Sequence, residues 1–226
     1  AGLRMVKNVH TTPCTDGSGL QKHLESRVMR YVHENIGGII KEKKVFLVEG
    51  LSRYGMILSF INEGYSCTFG DLMFALDIPI PIYTLKSLHR AVKILMPVVS
   101  HLPAKMLYST GNSQKEVVPK YEKHYKDNTV IAGDWLYIKK HMPNDMEGKI
   151  IVTNTTTEED KEFMKNRGIR FLVTTTPVLD GRSFGTNAME AAIIAASGKG
   201  RILTDDEIRI AIDQAGLKPA IQELNP

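Results

Sequence analysis

Two cysteines in 226 residues, Cys14 and Cys67, are too few for a disulfide framework. Cys67 sits in an apolar stretch and reads as an inert core thiol. No apolar run is long enough to span a bilayer, and no secretory signal stands at the start. The cytoplasm is therefore the default location, with no membrane partner. One-sided charge is also lacking. Against 25 acidic residues stand 29 basic ones, and a formal net charge of +4 gives no reason to expect a nucleic-acid partner. The basic stretch from Lys115 to Lys126 contains Tyr121 and Tyr125 and so has the ingredients of a single-strand-binding patch. A solvated helix face is the simpler reading and is the one adopted here. The seven histidines form no H-x-H or H-x-x-x-H pair, so no metal site is expected. What remains is an ordinary globular balance of 42% hydrophobic and 24% charged residues, enough to bury a sizeable core.

Short apolar runs alternate with longer helical patterns, which is the signature of βαβ units and a parallel sheet. Val45–Val48 reads as a strand, followed after Gly50 by a helix from about Tyr54 to Asn62 that stops at Gly64. Ser66–Phe69 is the next strand. Leu85, Leu88, Val92 and Leu95 have helical spacing, and Val98–His101 is a weaker strand candidate. Residues 103–128 read as an irregular excursion. Thr129–Ala132, Lys149–Thr153 and Phe171–Val173 read as strands, the last of these closing the sheet. Helices are expected at Trp135–His141, from a start within Thr156–Asp160 to Gly168, at Thr186–Ser197, and after a Thr204 cap. The expected architecture is a Rossmann-like doubly wound parallel sheet with C-terminal helices. Residues 1–40 would be a crossover-helix region following a missing N-terminal domain. Residues 41–200 would form the nucleotide-binding domain, and 201–226 a helical tail. The start at Ala1, with nine residues that look like the end of a helix, favours the missing domain.

Four segments could carry chemistry. Gly50-Leu51-Ser52-Arg53-Tyr54-Gly55 follows a strand and opens a helix, where a dinucleotide pyrophosphate docks on backbone N–H groups. Ser52 stands where the usual pattern has its middle glycine, and its hydroxyl could donate to a phosphate. Arg53 could reach a phosphate from the same turn. Asp71 closes the next strand 21 residues after Gly50, about the spacing at which a carboxylate binds the ribose in NAD-type sites. Asp71 could equally cap the following helix. In Pro13–Leu20, Asp16 or Ser18 could cap a helix, or Asp16 could stand exposed on a rigid loop. Leu179–Asn187 lies after the last strand, and there Arg182 is either an anion ligand or an ordinary surface arginine. No G-x-x-x-x-G-K-[ST] loop, no G-x-S-x-G elbow and no Tyr-x-x-x-Lys pair is present.

Thr15-Asp16-Gly17-Ser18-Gly19-Leu20, with Leu24 beyond, resembles the T-D-G-x-G segment of the shikimate/quinate dehydrogenase family. In that family the segment precedes a helix leading into the first strand of an NAD(P)-binding domain, and the same order holds here. Thr153–Gly168 and Phe184–Gly198 resemble later parts of that domain. Bacterial quinate 5-dehydrogenase-like members are similar along nearly the whole chain. The resemblance implies Asp16 as the catalytic aspartate, working with a lysine from a preceding substrate domain. It also implies a substrate side at Thr15, Arg182 and Asn187. Three departures stand out: Cys14 replaces an asparagine, Ser52 replaces a glycine, and no glutamine falls near Asn187 or Ala188.

The leading expectation is an NAD-dependent oxidoreductase acting on an alcohol or ketone such as a quinate-like hydroxy acid. Gly50, Ser52, Arg53, Gly55 and Asp71 would hold the cofactor, with NAD favoured over NADP because Asp71 repels a 2′-phosphate. The partner would be a small-molecule substrate, and a homodimer is compatible with the sequence. The alternatives are a non-catalytic nucleotide-binding or sensor module and an acyl reductase using Cys14 as nucleophile.

Overall fold

The computed structural model describes residues 12, 14–99, 117–179 and 181–226. The strands that pair are those rich in β-branched and aromatic residues. They are β1 (Lys44–Leu47), β2 (Ser66–Phe69), β3 (Val130–Ala132), β4 (Ile150–Thr153) and β5 (Phe171–Thr174). These five run parallel in the order β2-β1-β3-β4-β5. The central strands β3, β4 and β5 are buried along their whole length, as a sheet covered on both faces requires.

The helices fall on the two faces in turn. On one face, α1 (Ser18–Ile36), α2 (Tyr54–Asn62) and α4 (Leu85–Val99) pack Val28, Met29, Val32, Met56, Phe60 and Leu88 against alternate sheet residues. On the other, α3 (Asp71–Leu76), α5 (Glu122–Asp127), α6 (Trp135–His141) and α7 (Glu158–Lys165) contribute Met73, Tyr125, Trp135, Ile138 and Met164. Each such side chain stabilises the fold by roughly 1.5–3 kcal/mol on burial. This is the doubly wound Rossmann-like architecture that the alternation of patterns implies. A third, smaller core joins α1 to α8 (Thr186–Ser197) and α9 (Asp205–Gln214) through Leu20, Leu24, Ile194, Ile208 and Ile212.

Capping sets several helix starts. Thr157 with Asp160 and Thr204 with Glu207 form reciprocal capping boxes, and Asp134 accepts from Leu136 N–H to start α6. Thr84 does the same for α4, accepting from Ser87 N–H at 3.1 Å.

Four expectations are corrected. Phe171–Thr174 is not the last strand. A short hairpin, β6 (Val178–Leu179) with β7 (Arg182–Ser183), follows it, and β8 (Ala220–Glu223) then pairs antiparallel with β5, Thr174 facing Ala220. The segment 201–226 is therefore helical only at Asp205–Gln214, and its end supplies a sheet edge. Val98 and Val99 end α4 and form no strand, while 100 and 101 lie outside the described residues. Within the stretch expected to be irregular, Glu122–Asp127 is helical, held by Tyr125, whose buried hydroxyl donates to the Ile138 carbonyl at 3.0 Å. That ring is enclosed in the core and cannot stack on a nucleic-acid base. The first nine residues lie outside the described part. Among the described residues no helix is long and apolar enough to cross a membrane.

Candidate functional site at the carboxyl edge of the sheet

Strand order reverses between β1 and β3, and in open α/β sheets ligands bind beyond the carboxyl ends of the strands at such a point. The segments after β1 and β3 leave the sheet close together there. Gly133 has φ +141°, and a Cβ on it would fall 2.6 Å from Val48 Cγ2, so only glycine fits. The strand ends deliver Glu49 and Gly50 after β1, Asp71 after β2, Asp134 after β3 and Asn154 after β4.

The glycine turn opens α2 through a short 3₁₀ turn, Leu51–Arg53. Its backbone is already engaged by an anion from within the chain. Asp71 Oδ1 accepts the Leu51 N–H at 2.9 Å, and the Asp71 side chain is buried. Burial pushes its carboxyl above the usual range, against the opposing pull of the Leu51 and Gly50 N–H groups. Its second oxygen, Oδ2, is buried with no hydrogen-bond partner among the described residues. Asp71 is thus neither turned out toward a ribose nor a simple cap of α3. It ties the end of β2 to the turn after β1.

Arg53 is 9% exposed and likewise committed. Nη1 donates to Glu25 Oε1 at 3.0 Å and Nη2 to Asp134 Oδ2 at 2.8 Å. Asn154 Nδ2 donates to the same Asp134 oxygen at 3.0 Å. The guanidinium therefore braces α1 against the carboxyl end of β3, where the sequence left it free for a phosphate. The Ser52 hydroxyl acts to lower the Glu49 carboxyl's pKa, and the Ser52 carbonyl accepts from Gln21 Nε2 at 2.8 Å. Gly55 serves helix packing: a Cβ there would meet the Lys22 carbonyl at 2.9 Å.

Glu49 is a second buried carboxyl of this edge. Burial, with Asp134 and Asp71 nearby, pushes its carboxyl up to about 7, in spite of the Ser52 hydroxyl and Arg53. Glu49 and Asp71 together line a cavity of about 130 Å³ between the strand ends and α4. Its other walls are apolar: Leu51, Leu72, Leu76, Ile82, Leu88 and Leu95 among them. Carboxyl groups at one side of an otherwise apolar cavity are suited to holding a donor group or a proton.

The Thr15–Gly19 segment packs on the start of α8. Gly17 has φ +79°, and a Cβ there would come within 2.4 Å of Asn187 N. The Thr15 hydroxyl donates to Glu190 Oε1, while Glu190 Oε2 accepts the Leu20 N–H at 2.6 Å. Asp16 Oδ1 accepts the Ser18 N–H at 3.1 Å, and the Ser18 hydroxyl holds its carboxyl below the usual range. Asp16 therefore closes a local turn just ahead of α1, whose N-cap is Gly17. The Asn187 side chain turns back on its own helix, accepting the Ala188 N–H at 2.8 Å. The Arg182 backbone lies in β7, and its side chain is outside the described residues. Cys14 is a partly buried free thiol. Cys67 is a core thiol pushed by burial up to about 11.

Sequence reasoning missed Glu25, Glu49, Asp134 and Glu190. The first two carboxylates occupy positions where a helix face or a strand end ordinarily carries solvated charge, so only burial marks them. Asp134 was legible only as a residue between the strand ending at Ala132 and the helix beginning at Trp135. Among the described residues no cluster of three or more His, Cys, Asp or Glu is placed to hold a metal ion.

No curated protein sequence is significantly similar to this one. A crystal structure of a protein from Mycobacterium smegmatis is similar with a TM-score of 0.33 and 10% identity, over 96% of this chain and 61% of that one. The chain thus spans about three-fifths of that protein's length. The model of the family described as Domain of unknown function (DUF8754) matches residues 19–224, from the first turn of α1 to the edge strand β8, and the chain belongs to that family.

Proposed function

We propose that this chain is a small-molecule-binding, sensor-type module whose ligand sits at the carboxyl edge of β1 and β2, against α4. One observation carries the reading: the cavity there is lined by Asp71, whose buried Oδ2 has no partner among the described residues. A buried, unsatisfied carboxylate oxygen costs about 1–3 kcal/mol, and a donor on a ligand would recover it. The commitment of Arg53 to Glu25 and Asp134, and of the Leu51 N–H to Asp71, supports binding without a pyrophosphate.

A second reading is the NAD-dependent oxidoreductase acting on a quinate-like hydroxy acid, related to the shikimate/quinate dehydrogenases. It is favoured by the placement of the glycine turn after β1 and of Asp71 after β2, at the reversal of strand order. It requires Asp71 to release the turn. Methyl NMR of the whole chain separates the two readings. Under the first, small ligands shift the methyls of Leu72, Leu76 and Leu88, and NAD with hydroxy acids gives no turnover. Saturable NADH binding that prefers NADH over NADPH, with hydride transfer to a keto acid, would replace the first reading by the second.

A further inference from the structure

The cavity beside α4 also carries information about the chemical class of its occupant. Its apolar walls are five leucines, one isoleucine, one valine and two alanines, and a volume of about 130 Å³ is of the size that holds one benzene-sized ring. Its polar atoms come from carboxyl groups. Glu49 and Asp71 line it, Asp134 and Arg53 lie near Glu49, and the Arg53 guanidinium is held by Glu25 and Asp134. Arg53 already donates to Glu25 and Asp134, so among the described residues it has no hydrogen bond to Asp71 or Glu49. Asp71 Oδ2 is enclosed in a residue only 5% exposed and accepts nothing among the described residues. A carboxylate accepts hydrogen bonds and donates none. An anionic ligand would meet like charge in a poorly solvated space, whereas an ammonium group would supply up to three donors and the missing positive charge.

We infer that this cavity takes a protonated organic amine with a compact apolar body about the size of a single ring, its ammonium group held by Asp71 and Glu49. The inference rests on the reading of the same edge as a ligand site. Binding pairs the ammonium with Asp71 Oδ2 and places the ring against Leu72, Leu76, Leu88 and Leu95. Amines without an apolar body lose the wall contacts, and rings bearing a carboxylate lose the head-group contact.

Three probes of one shape, cyclohexylamine, cyclohexanol and cyclohexanecarboxylate, test this by methyl NMR titration of the whole chain. Cyclohexylamine is expected to shift the Leu72, Leu76 and Leu88 methyls and to bind at least about tenfold tighter than cyclohexanol. Cyclohexanecarboxylate is expected to leave them unmoved. Asp71→Asn keeps an oxygen for the Leu51 N–H and should weaken the amine at least about tenfold. Glu49→Gln gives the same readout if Asp71→Asn does not fold. Ala91→Phe, which fills the cavity from α4, should abolish the shifts. Binding of the alcohol or the carboxylate as tight as the amine, at the same methyls, would overturn the amine assignment and leave the ligand site standing. No methyl shift with any probe would overturn both.

Discussion

Two segments of this chain carry a carboxylate next to closely spaced glycines, and their polar atoms end in opposite states. At the entry to α1, the Thr15 hydroxyl, the Leu20 N–H and both Glu190 oxygens are matched to one another, and Asp16 is matched to Ser18. At the carboxyl edge of β1 and β2, Asp71 keeps one oxygen unmatched, Arg53 Nε and Glu25 Oε2 are buried without partners among the described residues, and Glu49 holds its proton to about neutral pH. The first arrangement is a clasp that fixes α1 on α8. The second stores unsatisfied electrostatics beside a cavity. Unsatisfied buried groups are costly, so they are the better guide to where a protein has a task other than folding.

The comparison can be broken at its most buried pair. Arg53→Met leaves Glu25 as an uncompensated carboxylate that is 1% exposed, and about 3–5 kcal/mol of stability should be lost in urea unfolding. A loss below about 1 kcal/mol would mean that the brace between α1 and β3 is not structural.

Glu49 sharpens the same side of the comparison through pH. Its folded carboxyl titrates near 7 against an ordinary value of 4.5, so between these values the native state binds more protons than the unfolded one. Stability attributable to this group is therefore highest at the acid end, and it falls as pH rises from 4.5 through 7. Glu49→Gln should remove that slope. At pH 8 it should be more stable than the parent by about 1–3 kcal/mol, with the gain disappearing toward pH 4.5. Parallel urea titrations across that range check it, and an unchanged slope would place Glu49 in solvent.

The smallest effect belongs to the clasp. Asp16→Asn retains the oxygen that accepts from Ser18 N–H, and unfolding free energy should change by no more than about 0.5 kcal/mol. A larger loss would show that the carboxylate charge, which the Ser18 hydroxyl favours, carries stability at this turn.

Elements with strong periodicity and explicit stops were legible before any coordinates. Tyr54–Asn62 ends before Gly64, Trp135–His141 begins at Asp134, and the Thr204 cap with Glu207 opens α9 as the residue order implies. The edge strand β8 was not legible. Ala220–Glu223 has neither alternation nor a buried run, and it becomes a strand because β5 offers it a row of unpaired backbone groups.

The sequence by itself determined the layered α/β architecture, because hydrophobic spacing of two or of three to four residues is a local property that each segment carries alone. It also brought Gly50, Asp71 and Asp134 to strand ends. Which of those groups would be free was decided only in three dimensions. Arg53 meets Glu25 across 28 positions and Asp134 across 81, and Asp71 reaches back 20 to Leu51. The strength of a charge or a hydrogen bond depends on the partners and the dielectric around it, and both are made by packing between segments far apart in the chain.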